Sequence, residues 1–302
     1  MQDILRKHEW IIKVCNFLIF KVLLRFKLGR LRIHELIYKT NIAIYRHRLN
    51  KFYAPFTVET RSATSLTNNN NIFIFWLQGY DNAPAVVKKC IDCARRNSNG
   101  FTVHLITEEN LEKYTKEMPP GVLESINRFK GNSVEFFSYV LRMWLLSHYG
   151  GLWCDPTMYH TSKIELPYTD RYYSIRRTNG SKLCIANGRW ASYYQYSPAG
   201  NIVTQFLFEA LCYYAGNADF IMDSMLFDEI MDYAYNNVDA IRQEIDRIPM
   251  SNHNVLALKF KLNTPWNESF YNRLAESTSV FKLSRKIKIN REDKNNFFAH
   301  LQ

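Results

Sequence analysis

With 302 residues, 47% of them hydrophobic and 15% aromatic, the chain is long enough for a sizeable core and too apolar for a disordered or collagen-like polypeptide. Its formal charge of +11 is uneven: residues 1–60 hold twelve bases and four acids (+8), residues 282–302 six bases and two acids (+4), and the stretch between sums to −1. A near-neutral body with basic ends points to a local anionic partner, a phospholipid surface or a phosphate group, and argues against a nucleic-acid binder.

Residues 1–60 predict a helical extension, with helices over 3–27 and 31–51 hinged near Gly29. At 100° per residue Ile11, Cys15, Leu18, Ile19, Val22 and Leu23 share one face, while Arg6, Lys13, Lys21 and Lys27 lie largely opposite. Such a helix suits either an anionic membrane interface or packing on its own domain or a partner chain. The apolar stretch Trp10–Leu24 carries two lysines and is shorter than the roughly 20 residues a bilayer span needs. No small-residue cleavage site follows it, so a secretory signal fits poorly. Residues 61–71 are polar and low in complexity and read as a linker to a second unit, 72–302.

From Ile72 the pattern changes. Ile72–Leu77 is a continuous apolar run, the signature of a strand buried on both faces. Pro84 is placed to open a helix through about Asn97, Phe101–Ile106 is a second strand, and Thr107 caps the next helix. This alternation predicts an α/β fold with a parallel sheet and crossover helices. A helix follows over 133–149 and ends at Gly150-Gly151, before a short strand at Leu152-Trp153 with Asp155 at its exit. Beyond it, 158–186 predicts short strands and turns, 199–215, 218–247 and 268–277 helices, and 280–283 and 286–289 strands. Six scattered cysteines favour a reducing, cytoplasmic location, and the Cys90–Cys93 pair inside a helix reads as two semi-buried residues with no second pair to complete a zinc site.

The chemistry concentrates in Phe137–Arg142 and Leu145–Thr157. Ser138 and Arg142, four apart, share a helical face; the double glycine permits close backbone approach; and a strand delivers Asp155 at its carboxyl end, where open α/β sheets bind ligands. A carboxylate there beside an arginine suits a diphosphate or a metal carrying one.

This block resembles the bacterial capsular polysaccharide synthesis glycosyltransferases and the related DxD-containing sugar transferases of glycosyltransferase family 32. The resemblance covers about residues 72–289. It includes Phe75–Gly79 with Asn82-Ala83-Pro84, and Leu105–Leu111. It implies a GT-A (Rossmann-like, nucleotide-sugar-binding) domain. The implied reaction moves a sugar, with retention, from a nucleotide-diphosphate-sugar to an oligosaccharide, polysaccharide or lipid-linked glycan. It places Trp76, Gln78 and Gly79 near the base and Ser138 and Arg142 near the nucleotide and its phosphates. Asp155 becomes the first acid of the DxD-type motif and ligand of Mg²⁺ or Mn²⁺, Thr157 its second position, and Asp223 an acceptor-side or catalytic carboxylate, with Asp219 and Asp228 as nearby alternatives. Three positions depart from the pattern: Tyr139 for Asp, Thr157 for an acid, and Phe281 for a His that can ligate metal. Lys282, Arg285 and Lys286 then offer direct stabilisation of the diphosphate. The alternative is a degenerate GT-A domain with a binding or assembly role. For the enzyme, residues 1–60 would dock it peripherally on the inner membrane's anionic face.

Overall fold

The computed structural model describes residues 1–17, 30–57, 70–129, 133–178 and 184–301. Three helices come first, α1 (Gln2–Arg6), α2 (Glu9–Phe17) and α3 (Arg30–Phe52). Then follow β1 (Asn71–Phe75), α4 (Ala85–Arg96), β2 (Thr102–Ile106), α5 (Glu112–Thr115), α6 (Val122–Asn127), α7 (Ser133–His148), β3 (Gly151–Cys154) and β4 (Met158–His160). The chain continues through β5 (Tyr173–Ser174), β6 (Tyr194–Ser197), α8 (Ile202–Asn217), α9 (Leu226–Asn237), α10 (Asp239–Asp246), α11 (Glu268–Ala275), β7 (Val280–Lys282) and α12 (Phe297–His300).

The main sheet runs β2-β1-β3-β6-β5. β1 pairs in parallel with both β2 and β3, and Ile72–Phe75 are all buried, as the continuous apolar run requires. The other half departs from the all-parallel expectation: β6 lies antiparallel to β3 and to β5. The polar-aromatic run Tyr194–Ser197 is a fully buried strand; Ser197 Oγ lies 3.1 Å from Thr204 Oγ1, while the Gln195 side-chain oxygen is buried without a hydrogen-bond partner.

The double glycine is explained by crowding. Gly151 opens β3 at φ +125°, and a Cβ there would lie 2.6 Å from the Asn71 carbonyl oxygen at the start of β1. At Gly150, φ +67°, a Cβ would lie 2.6 Å from the Ala199 amide nitrogen. No other residue lets α7 turn into β3 between these two backbones.

Two further expectations are corrected. Residues 286–289 are not a strand: β7's partner β4 is only three residues long, and Asn263 closes the following turn by donating to Lys288 O at 2.8 Å. Residues 218–225 are not helical, because Asp223 Oδ1 accepts from Met225 N–H at 2.8 Å and so sets the start of α9. The helix expected over 3–27 breaks at His8, φ +62°, and its part from 18 on, with the Gly29 hinge, lies outside the described residues, as does most of the linker.

The N-terminal helices do not stand apart from the body. Leu5, Leu49, Phe52 and Tyr53 are buried in the same core as β1 and α7, each worth roughly 1.5–3 kcal/mol. Tyr53 stacks on Tyr233 at 4.8 Å and donates to Ala210 O at 3.0 Å. Arg46 makes two bonds to Asp232, at 2.7 and 3.0 Å. Arg48, 2% exposed, donates to the Lys7 carbonyl. Lys13 and Lys39 pair with Glu9 and Glu35 at 2.7 and 2.8 Å, so at least four of the bases in this segment meet partners within the protein.

Candidate active site

A cleft of about 800 Å³ opens at the carboxyl ends of β1 and β3, within the range of small-ligand sites. Its walls come from the loop after β1 (Trp76, Gln78), the first turns of α7 (Glu135, Ser138, Arg142), the β3 exit (Asp155), the start of α9 (Asp228) and the segment after β7 (Arg285).

Asp155 sits at the centre because the chain changes sheets there. β3 belongs to the main sheet and β4 to a two-stranded sheet with β7; Asp155 leads the turn between them, its carbonyl accepting from Met158 N–H at 3.0 Å. The β4–β7 register sets Met158 opposite Lys282, and the lysine reaches back so that Nζ lies 2.6 Å from Asp155 Oδ2. On the other oxygen, Trp153 Nε1 donates at 2.9 Å and Arg142 Nη2 lies 3.7 Å away. Burial alone would raise the Asp155 carboxyl, but Lys282 and Arg142 outweigh it and hold it below the usual value.

Arg142 is 5% exposed and locked. It donates to the Ser192 carbonyl, and its guanidinium lies 4.9 Å from the Trp153 ring and 4.8 Å from the Phe227 ring. Ser138 Oγ donates to Glu135 O at 2.7 Å. Tyr139 donates its hydroxyl to Glu135 Oε1 at 2.7 Å. The Glu135 contact four residues away was readable from helical spacing alone; that of Ser192 was not, since it depends on where β6 begins.

Trp76 lines the cleft with its indole nitrogen buried and without a hydrogen-bond partner, and the Arg285 guanidinium lies 5.7 Å from its ring. Gly79 closes the turn, donating to Trp76 O at 3.0 Å with φ +77°, and does not itself line the cleft. Thr157 is buried outside the lining, its carbonyl accepting from Leu283 N–H at 2.8 Å. Asp223 also lies outside the lining, with Oδ2 accepting from Tyr45 O–H at 3.0 Å. Of the three acids over 219–228, it is Asp228 that lines the cleft; it accepts from Trp190 Nε1 at 2.9 Å, and burial pushes its carboxyl up. That contact makes Trp190 a buried aromatic, 3% exposed. Phe281 is fully buried in a second core with Tyr159 and Leu258, so this position faces away from the cleft. Cys90 and Cys93 are buried on α4, and Cys93 Sγ donates to His160 O at 2.8 Å.

The donor set does not fit a divalent cation. The Lys282 ammonium takes one oxygen of Asp155 and the Trp153 indole N–H the other, while Tyr139 occupies one oxygen of Glu135 and Trp190 one oxygen of Asp228. Among the described residues no group of three or more His, Cys, Asp or Glu side chains is placed to hold a metal.

A family model described as "Capsular polysaccharide synthesis protein" matches residues 27–301. The chain belongs to the capsular polysaccharide synthesis protein family. That match includes α3, in keeping with its place in the common core. No curated protein matches the chain. Among solved structures, a chain titled "PaToxG Glycosyltransferase" aligns at 14% identity and a TM-score of 0.41, covering 72% of this family member and 90% of the other chain.

Proposed function

We propose that this capsular polysaccharide synthesis protein is a glycosyltransferase. In this reading a GT-A-type site moves a sugar, with retention, from a nucleotide-diphosphate-sugar to a polysaccharide or lipid-linked glycan. The observation that carries it is the cleft at the carboxyl ends of two parallel strands, which a charged Asp155–Lys282–Arg142 cluster lines together with Trp76. A nucleotide-sugar needs this combination, an aromatic wall for the base and cations for the diphosphate. Trp76 and Gln78 take the base, with Gly79 shaping their turn. Ser138 lies beside the nucleotide, Lys282 faces the diphosphate, and Arg142 acts through Asp155 by holding it in place. Asp155 orients the donor and Lys282. Asp228 takes the acceptor-side role, while Asp223 and Thr157 support the backbone around it. Nucleoside diphosphates screened by thermal shift should include at least one that raises the melting temperature by mass action. No shift with any of them would contradict the reading.

We also propose that α1 and α2 rest on an anionic membrane surface. Trp10 and Val14, one helical turn apart, are 67% and 49% exposed, beside the exposed bases Lys7 and Lys13. No described helix is long and apolar enough to cross a membrane. A Trp10→Ala/Lys13→Glu variant should float less with phosphatidylserine vesicles than wild type, while neither floats with neutral phosphatidylcholine vesicles. Equal flotation of the two proteins would move these side chains to a protein partner.

A further inference from the structure

Resting on the nucleotide-sugar reading, we infer that the leaving nucleoside diphosphate is neutralised by the protein's own cations, Lys282 first and then Arg285 and Lys286, and that no divalent cation is required. Breaking the bond between the anomeric carbon and the diphosphate sends its electron pair onto a diphosphate oxygen. The acceptor hydroxyl oxygen forms the new bond to that carbon, and its proton passes to the departing diphosphate. The demand on the site is positive charge held where that oxygen develops its negative charge.

In a metal-dependent site a carboxylate presents its oxygens to the ion. Asp155 instead presents them to Lys282 Nζ at 2.6 Å and to Trp153 Nε1 at 2.9 Å, with Arg142 behind. An ion approaching Asp155 would meet an ammonium already seated there. A magnesium ion also demands near-octahedral oxygen coordination at about 2.0–2.1 Å, and the other cleft carboxylates are bound to Tyr139 and Trp190.

Lys282 is a built feature of the fold. It ends β7, its backbone N–H donates to Val255 O at 2.7 Å, and its ammonium lies 5.0 Å from the Tyr193 ring. Only 21% of its side chain is exposed, so a bound phosphate would meet a partly desolvated charge. Arg285 and Lys286 are exposed on the same cleft, three and four residues further along the chain. They can close on a diphosphate held by Lys282.

The full-length chain should be titrated calorimetrically with UDP, GDP, ADP and CDP, in EDTA and in excess Mn²⁺. At least one should bind with Kd values in the two buffers within about twofold of each other. Lys282→Ala should weaken that binding at least about tenfold and Lys282→Arg much less. Because Lys282→Ala leaves Asp155 with one cation fewer, the exposed pair Arg285→Ala/Lys286→Ala gives an independent reading. It should weaken binding several-fold without changing the melting temperature. Binding that needs Mn²⁺ and vanishes in EDTA would overturn the inference and leave the nucleotide-sugar site standing, as would EDTA-resistant binding unaffected in both variants. No binding of any nucleoside diphosphate in either buffer would overturn both.

Discussion

Asp155→Asn is expected to lower sugar transfer by at least about a hundredfold while leaving the melting temperature within a few degrees of wild type. The amide keeps the shape of the carboxylate and can still accept from the Trp153 indole. What it loses is the negative charge that fixes Lys282 at 2.6 Å and balances Arg142. Charge-assisted bonds of this kind contribute about 1.5–3 kcal/mol each, and a reacting group displaced by an ångström costs about as much again. Arg142 remains held by the Ser192 carbonyl and the Trp153 and Phe227 rings, so the fold around it persists. The pH dependence follows from the lowered Asp155 carboxyl. Its contribution is complete above the ordinary carboxylate range and is lost only as pH falls through the lowered value. Wild-type transfer should therefore show no acid limb from this residue near the ordinary carboxylate pKa. Steady-state kinetics across pH, beside thermal melts of both proteins, check this.

The largest expected loss of stability is at Asp232→Asn, about 2–4 kcal/mol by urea denaturation. Asp232 is wholly buried and receives Arg46 at 2.7 and 3.0 Å and Arg189 at 2.7 Å. Arg189 is further enclosed by the Trp190 and Tyr235 rings, 4.4 and 4.3 Å from its guanidinium, and without its carboxylate it becomes an uncompensated charge. Arg46 is 48% exposed and regains water, which brings the loss somewhat below the range of about 3–5 kcal/mol known for broken buried pairs. Because Arg46 lies on α3 and Asp232 on α9, the variant should also make α3 exchange its amide hydrogens faster. An unchanged urea midpoint would mean that the Arg46–Asp232 pair adds nothing to the other contacts that hold α3.

The parts of the fold legible in the sequence are those with local causes. The apolar run Ile72–Phe75 is a buried strand, α4 begins just after Pro84, and Gly150-Gly151 ends α7 and starts β3 because both positions have positive φ and a neighbouring backbone within reach of a Cβ. Thr107 does open a turn of helix, with its N–H donating to Asn110 Oδ1 at 2.8 Å. Asp155 reads as a strand-exit carboxylate for the same reason.

What could not be read depends on pairing across long distances. Lys282 reaches Asp155 because β7 pairs with β4, and nothing within either segment specifies that partner. β6 hides its strand character behind Gln195 and Ser197, which are buried without being apolar. The choice among Asp219, Asp223 and Asp228 turns on the phase of α9. Because the helix begins at Leu226, Asp228 faces inward to the cleft while Asp223 is used at its start. Charge misleads in a similar way. Twelve bases in the first sixty residues suggest an external anion, yet Arg46 and Arg48 are engaged by the protein itself, by a carboxylate and a backbone carbonyl. A formal charge counts such residues alike, whichever way they face.

If the proposed function holds, the cleft around Asp155 consumes a nucleotide-diphosphate-sugar. The most direct measurement is release of nucleoside diphosphate from a panel of nucleotide-sugars, with capsular oligosaccharides as acceptors, by wild type and by Asp155→Asn. Wild type should consume at least one donor, and the variant should consume it at least about a hundredfold more slowly. Equal turnover by the two proteins, or no release from any donor by a wild type that binds nucleoside diphosphates, would contradict it, the latter in favour of a binding role.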